Sequence, residues 1–448
     1  MNGASSYFAK SRARCRVVTG IALALAVSAS TGRARAAAPV PTEVDVAAML
    51  GSPAALAAWI ERHDPEVAIA RAQIAQASAE VRAAGLLPNP VLDIGVDNIP
   101  LGRTNPPGLG WSQTNVYSVG LSETFELGKR GPRADAARLR FASAEQRMRG
   151  ALVSRIAEAR LALGRVVYFG ARQRLFEERL KAAQRIAAVE HTRLEQGALS
   201  GHDHDRLLLE TTNLGLEAVE ASADYALALT ECRAVMRAPC RAPSSANGLD
   251  TAAPVPATPP SSLAEPAEAL ALKLDGQAAR ADATLARRRA IPDPTFRIGY
   301  TRSQFTISGD NANTLSASLS VPLPIFDHGQ ADLARATARA QELDRAGDAY
   351  RTATRALLEG YWTQKRGLEA NVGELEAHAV PRSAGVLSAT EEAFKRGQAD
   401  TTSLLLAQRA HRALVQELLE LRFKLFAVRN QLRRALELDL RAPKEPQS

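Results

Sequence analysis

The chain has 448 residues, 23% of them charged, a formal net charge of +8 and only 5% aromatic residues. Six of its basic residues and none of its acidic ones lie in the first 36 positions, so the remainder carries only +2, too small an excess to argue for nucleic acid as a partner. Few aromatics with abundant alanine and arginine favour long helices packed through small residues over a compact aromatic core.

Residues 1–36 read as a secretory signal. Lys10, Arg12, Arg14 and Arg16 form a basic n-region, Val17 to Ala29 is apolar, and Ala34-Arg35-Ala36 offers an A-x-A cleavage site. The alternative, a membrane anchor, would need an apolar run of ~20 residues. Cys15 precedes the apolar run and is not placed like a lipoprotein acylation cysteine. Export permits a disulfide between the other two cysteines, Cys232 and Cys240; two buried free thiols are the alternative. No later segment is an apolar run of about 18 residues, so an integral membrane contact would have to be made by strands.

Residues 37–63 form a partly helical lead-in. Asp64-Pro65 starts a helix as an N-cap followed by proline at the first helical position. Val67, Ala70, Ile74, Ala77, Val81 and Ala84 then mark a coiled-coil seam, and Pro88 and Pro90 stop it. Two alternating segments follow, at about 91–98 and 116–127, around a polar loop. The next helix is expected from Arg133 to Glu195, about 95 Å long at 1.5 Å per residue, a length that no globular core demands. Gly197 to Gly201 breaks it, and a helix returns from Asp203 to Met236. A Pro/Ser/Ala-rich connector spans 237–265.

The pattern then repeats. "LLPNPVLDIGVDN" (Leu86 to Asn98) is echoed by "AIPDPTFRIGYT" (Ala290 to Thr301), and "VGLSETFELGKRGPRADAARLR" (Val119 to Arg140) by "ASLSVPLPIFDHGQADLARATA" (Ala317 to Ala338). Residues 64–236 and 266–440 are thus two tandem helix–strand–strand–helix–helix repeats. In the second, strands are expected at about 295–306 and 313–321, a helix from Gln330 to Lys395 kinked at Pro381, and a last helix from Thr401 to Glu437. Residues 441–448 read as a disordered tail. The fold class is mainly α with membrane β.

Each strand is about long enough to cross a bilayer when tilted, roughly 9 to 11 residues, and each has one apolar and one polar phase. Asp93, Asp97 and Arg297 lie on the polar phase, where they would set the field of a lumen or simply line a solvated wall. Four strands cannot close a membrane barrel, so several chains must combine.

The repeat resembles the TolC-like outer-membrane efflux family, from about Asp64 to Leu440. "AGLLPNPVLDIGV" and "FELGKRGPRADAA" carry the resemblance, and Lys129-Arg130 with Arg133 is most similar to the CzcC-type heavy-metal efflux branch. The resemblance implies a homotrimer forming a twelve-strand β-barrel in the outer membrane, continued by a long α-helical barrel across the periplasm. It implies partners: a periplasmic adaptor, an inner-membrane RND-type pump and outer-membrane lipid. Pro88, Pro90, Pro292 and Pro294 would be collar residues between barrel and tunnel. Lys129, Arg130 and Arg133 would contact headgroups or loops near the inner interface, or stand in a solvated turn.

The implied function is a passive exit duct, with divalent cobalt, zinc or cadmium the expected substrates. A drug or protein-secretion exit channel of the same fold is one alternative, and a pore-less periplasmic coiled-coil protein another. "RLEQGALS" and "AFKRGQAD" are similar to the family's adaptor-docking turns, which assigns Arg193, Gly197, Ser200, Arg396, Gly397 and Asp400 to the tip. Asp203 fits the family's periplasmic gate position. Ser403 stands at the matching position of the second repeat, leaving Asp205 and Asp400 as substitutes. His202 and His204, within "HDHD", could hold a metal transiently, although two residues apart on a helix they share no face; an ordinary first turn of a helix is the alternative. The chain has no nucleotide-binding glycine loop, no Cys/His zinc signature and no grouped nucleophile. No cofactor and no enzyme activity are expected, and the energy for transport would come from a partner.

Overall fold

In the computed structural model, the described residues are 43–104, 107–196, 200–241, 249, 255–260, 264–304 and 311–440. The signal segment, Gly197, most of the connector and the 441–448 tail lie outside them. The lead-in is more structured than expected: β1 (Val44–Asp45), α1 (Val46–Gly51) and α2 (Pro53–His63) precede the first repeat. Asp45 and Ser52 cap the two helices with their side-chain oxygens, satisfying backbone N–H groups that a first turn leaves unpaired.

The first repeat comprises α3 (Pro65–Ala84), β2 (Val91–Asp97), a one-turn helix α4 (Trp111–Thr114), β3 (Val116–Thr124), α5 (Arg130–Glu195) and α6 (Gly201–Met236). β4 (Cys240–Arg241) follows. The second comprises α7 (Ala267–Arg288), β5 (Thr295–Ser303), β6 (Asn313–Ser320), α8 (Gln330–Glu374), α9 (Val380–Lys395) and α10 (Thr401–Ala435), closed by a 3₁₀ turn at Leu438–Leu440. α5 has 66 residues, about 99 Å of helix. The seam of α3 is its inward face: Val67, Ala77 and Ala84 are buried and the other three seam residues half-buried. The expected kink at Pro381 is instead a π-helical stretch, Leu375–Ala379, just before the proline. Proline has no N–H to donate, and the wider i→i+5 turn accommodates that loss without ending the helix.

α7 is the most enclosed helix. Seven alanines and Gly276 are buried on it, so α5 and α8 approach closely on its two sides. Arginine–aspartate pairs cross the seams, Arg140–Asp282 and Arg147–Asp275 from α5 to α7 and Arg280–Asp344 from α7 to α8. These pairs are partly exposed, so each contributes little, about 0–1 kcal/mol, but they fix the antiparallel register.

The main core lies midway along the long helices. Val44, Val46, Leu50, Leu56 and Ile60 from the lead-in pack on Ile156, Leu163 and Val167 of α5, Met236 of α6 and Phe426 of α10. Trp59 Nε1 donates to the Met236 carbonyl at 3.0 Å. β1 pairs in parallel with β4, and a disulfide joins Cys232 to Cys240. A cross-link over so short a loop stabilises by about 2–3 kcal/mol through loop-closure entropy. Reduction, or Cys240→Ser, is therefore expected to lower the unfolding free energy by about that amount and to release β4. Unchanged thermal unfolding under reducing conditions would contradict this.

Candidate functional site

The four longer strands form an antiparallel sheet in the order β2-β3-β5-β6. Its register aligns the apolar phase of all four strands. Ile94 pairs with Val119, Val119 with Tyr300, and Tyr300 with Leu315; the next row is Leu92, Leu121, Ile298 and Ala317. These side chains are exposed, Ile94 to 74% and Leu315 to 78%. A continuous apolar face of this size is not compatible with water contact and marks a surface for lipid or protein. Among the described residues β2 and β6 each pair on one side only, and open sheet edges cannot stand in hydrocarbon.

The opposite face is polar and small, with rows Asp93, Gly120, Gly299, Ser316 and Gly95, Ser118, Thr301, Thr314. Arg297 on β5 reaches across β3 to Asp93 on β2, Nη2 to Oδ2 3.6 Å. Gly120 makes this possible: a Cβ there would lie 2.9 Å from the Arg297 Nε. Gly120→Val is expected to displace the guanidinium and free Asp93, which would appear as altered cation selectivity in planar bilayers.

At the foot of the sheet the two repeats interlock. Asp293, between Pro292 and Pro294, accepts the Leu127 N–H at 3.0 Å and pairs with Lys129 Nζ at 2.6 Å. Burial alone would raise the Asp293 pKa, but Lys129 and the Leu127 amide hold it below the usual carboxylate range. Arg133 pairs with Glu126 through both nitrogens, at 2.6 and 2.9 Å, and donates to the carbonyls of Ala84 and Leu86 at the end of α3. Lys129 thus makes a loop contact, one of the expected readings, while Arg133 is held within the junction instead of standing in a solvated turn. Their charges are spent on a helix C-terminus and on neighbouring carboxylates.

At the far end of the helices, Ser200 caps α6 and Asp400 caps α10. Ser200 Oγ accepts the Asp203 N–H at 3.1 Å and donates to the Asp203 carboxylate at 2.7 Å. Asp400 Oδ1 accepts the Ser403 N–H at 2.9 Å. The two caps use the same two residue types in exchanged positions. The Ser403 contacts hold the Asp400 pKa below its usual value. Gly397 ends α9 with φ +72°, its N–H bonded to the Phe394 carbonyl and that of Gln398 to Ala393, a left-handed C-cap.

Just above the caps, Glu210 of α6 is buried. It accepts from Arg409, Nη2 to Oε2 2.5 Å, and from Arg412, both on α10. Burial alone would raise its pKa, but the two guanidiniums more than offset this and hold it below the usual glutamate value. Arg206 adds a 2.8 Å hydrogen bond to Thr402 Oγ1. From α5, Arg179 donates to the Arg412 carbonyl at 2.8 Å. Its pKa is lowered to about 10 by burial and by the nearby Arg412 charge. The α5–α6 and α9–α10 hairpins are thus braced together by one carboxylate.

A sequence profile of the outer membrane efflux protein family matches residues 59–229 and 259–437. The chain belongs to that family. Its members are channels, not enzymes. The nickel and cobalt resistance protein CnrC of Cupriavidus metallidurans is 28% identical over 272 residues, 59% of this chain. The match spans 63% of that relative, less than two thirds of its length. Among solved structures CusC gives a TM-score of 0.73 at 16% identity, over 86% of this chain and 91% of that one. The open-state MtrE outer membrane channel of Neisseria gonorrhoeae gives 0.70 at 16% identity, over 86% and 88%. The outer membrane protein VceC of Vibrio cholerae gives 0.68 at 18% identity, over 86% and 95%. At these identities the structural likeness establishes the fold alone.

In this efflux protein the expected tip residues Ser200, Arg396, Gly397 and Asp400 lie at the two helix turns, with Arg396 paired to Glu392 at 2.8 Å. Gly197 and the Arg193 side chain lie outside the described residues. Asp203 is half-buried and bound to Ser200, and Asp205 is exposed. His202 and His204 diverge, as residues two apart on a helix do. His204 faces His191 of α5, Nε2 to Nδ1 3.4 Å, while His202 is exposed. Among the described residues no cluster of three or more metal-binding side chains occurs.

Sequence reasoning missed Glu210, its two arginines and His191. The histidine had a readable signal: it lies in the helix before the Gly197 break, so a hairpin there brings it back beside His204. Glu210 had none, because its partners are about two hundred residues away.

Proposed function

We propose that this efflux protein is the outer-membrane exit duct of a tripartite system, built as a homotrimer whose sheets close one twelve-strand barrel. The observation that carries the reading is the four-stranded sheet, exposed and apolar on one face and open at both edges, on the same chain as helices about 100 Å long. The helices support the same assembly. α7 is enclosed by α5 and α8, whereas its repeat counterpart α3 buries only Val67, Ala77 and Ala84 and leaves Ile69 exposed. A neighbouring protomer's α8 would complete α3 as α8 completes α7.

The duct does no chemistry; it gates. The caps at Ser200 and Asp400 and the turn at Gly397 form the surface that an adaptor engages, and an inner-membrane RND-type pump supplies the energy. Asp203 and Asp205 add charge at the closed end. Glu210 holds the hairpins together, and docking shifts the tip towards an open state. Glu210→Ala removes hydrogen bonds to charged groups worth about 1.5–3 kcal/mol each. It is expected to raise single-channel conductance, and unchanged conductance would remove the bracing role. Gly397→Val forces a β-branched residue into left-handed geometry at a cost of about 1–2 kcal/mol. It is expected to impair efflux while leaving trimer assembly intact.

Divalent heavy-metal cations are the proposed substrates, supported by the likeness to CnrC. Disruption of the gene should sensitise cells to nickel, cobalt, zinc or cadmium more than to organic toxicants. Sensitivity to organic toxicants alone would reassign the substrate class while keeping the duct.

A further inference from the structure

We propose that His191 and His204 form a binding site for a divalent first-row transition metal that clips α5 to α6 at the tip. The site is independent of the substrate reading above, because it concerns metal held by the wall and is tested on the isolated protein.

The two imidazoles come from different helices and point a nitrogen at each other, His191 Nδ1 to His204 Nε2 3.4 Å, with ring centroids 5.3 Å apart. This distance is long for a hydrogen bond, whose ordinary range ends at about 3.2 Å. It matches chelation. Two nitrogens bound at about 2.0–2.1 Å to one tetrahedral ion stand about 3.4 Å apart, with ring centres about 5.2 Å apart.

The Glu195 carboxylate lies 3.6 Å from the other nitrogen of His191, Nε2, beyond hydrogen-bond distance, and adds negative charge beside the pair. His191 is exposed and His204 half-buried, so solvent molecules can fill the remaining positions. Two imidazoles with open positions suit zinc, cobalt, nickel or copper. The metal would replace a weak contact with two coordinate bonds across the hairpin.

The test is titration of Co²⁺ and Zn²⁺ into the full-length exported protein in detergent, without an affinity tag, by calorimetry and by cobalt visible absorption. One site per chain is expected. His191→Ala and His204→Ala should each weaken it at least tenfold, and His202→Ala should leave it unchanged. Hydrogen exchange at 188–195 and 201–207 should slow on metal addition only when both histidines are present. Absence of binding, or equal binding by the His191→Ala protein, would overturn the proposal.

Discussion

Asp439→Ala is expected to lower the unfolding free energy by about 3–5 kcal/mol, the cost of leaving a buried charge without its partner. The Asp439 side chain has no solvent exposure and Arg160 is among the most buried residues of the chain. Arg160 donates to both Asp439 oxygens, at 2.9 and 2.7 Å, and Arg433 donates at 2.6 Å. Asn430 joins the network through Arg160 and the Ala157 carbonyl. The aspartate thereby ties the 3₁₀ turn after α10 to the middle of α5. Removing it takes the shared carboxylate from two buried guanidiniums. Guanidinium-induced unfolding of the solubilised protein should show the loss, and a change below about 1 kcal/mol, the size of a surface pair, would contradict it. Arg165→Ala is the matched control, because the Arg165–Glu231 pair is exposed on both sides.

The same pair makes stability depend on pH. Burial alone would raise the Asp439 pKa, but Arg160 and Arg433 hold it below the usual aspartate value. A carboxylate whose folded pKa is depressed stabilises fully above its unfolded value, about 3.9, and loses that contribution as pH falls through the lower folded value. Acid unfolding of the native chain should therefore steepen below about pH 4, and Asp439→Asn should flatten it.

The second large effect concerns the sheet. Leu121→Arg places a charge on the apolar row of Leu92, Ile298 and Ala317. In a lipid-facing position near the midplane this costs about 2–4 kcal/mol and should reduce the amount recovered from outer membranes. Ser118→Arg, three residues away on the polar face, should insert normally and alter conductance. If both substitutions were tolerated, the apolar face would not face lipid.

Much of the architecture was legible because it rests on local rules. The Asp64-Pro65 cap, the Val67 to Ala84 seam, the Pro-x-Pro stops and the strand alternation each depend on neighbours in sequence. The repeat showed that two such units exist. What escaped depends on partners far along the chain. Asp293 and Lys129 meet through the β3–β5 register, Arg160 and Asp439 through the packing of the last turn on α5, and Glu210 with Arg409 through the parallel packing of α6 on α10, none of which a local pattern states. β3 ends at Thr124: Phe125 still donates its N–H to the Pro294 carbonyl, the next register position, but Pro294 has no N–H to return. The lead-in was underread because its apolar residues are short runs whose value lies in plugging the core between α5, α6 and α10.

In the proposed assembly the open edges of this sheet close through other copies of the chain. Single cysteines placed on β2 at Leu92, Ile94 or Val96, combined with single cysteines on β6 at Leu315, Ala317 or Leu319, test it by oxidation in intact outer membranes. The account predicts that at least one combination gives a disulfide ladder ending at three chains, in the outer-membrane fraction. A soluble monomer, or a ladder that ends at two, would contradict it.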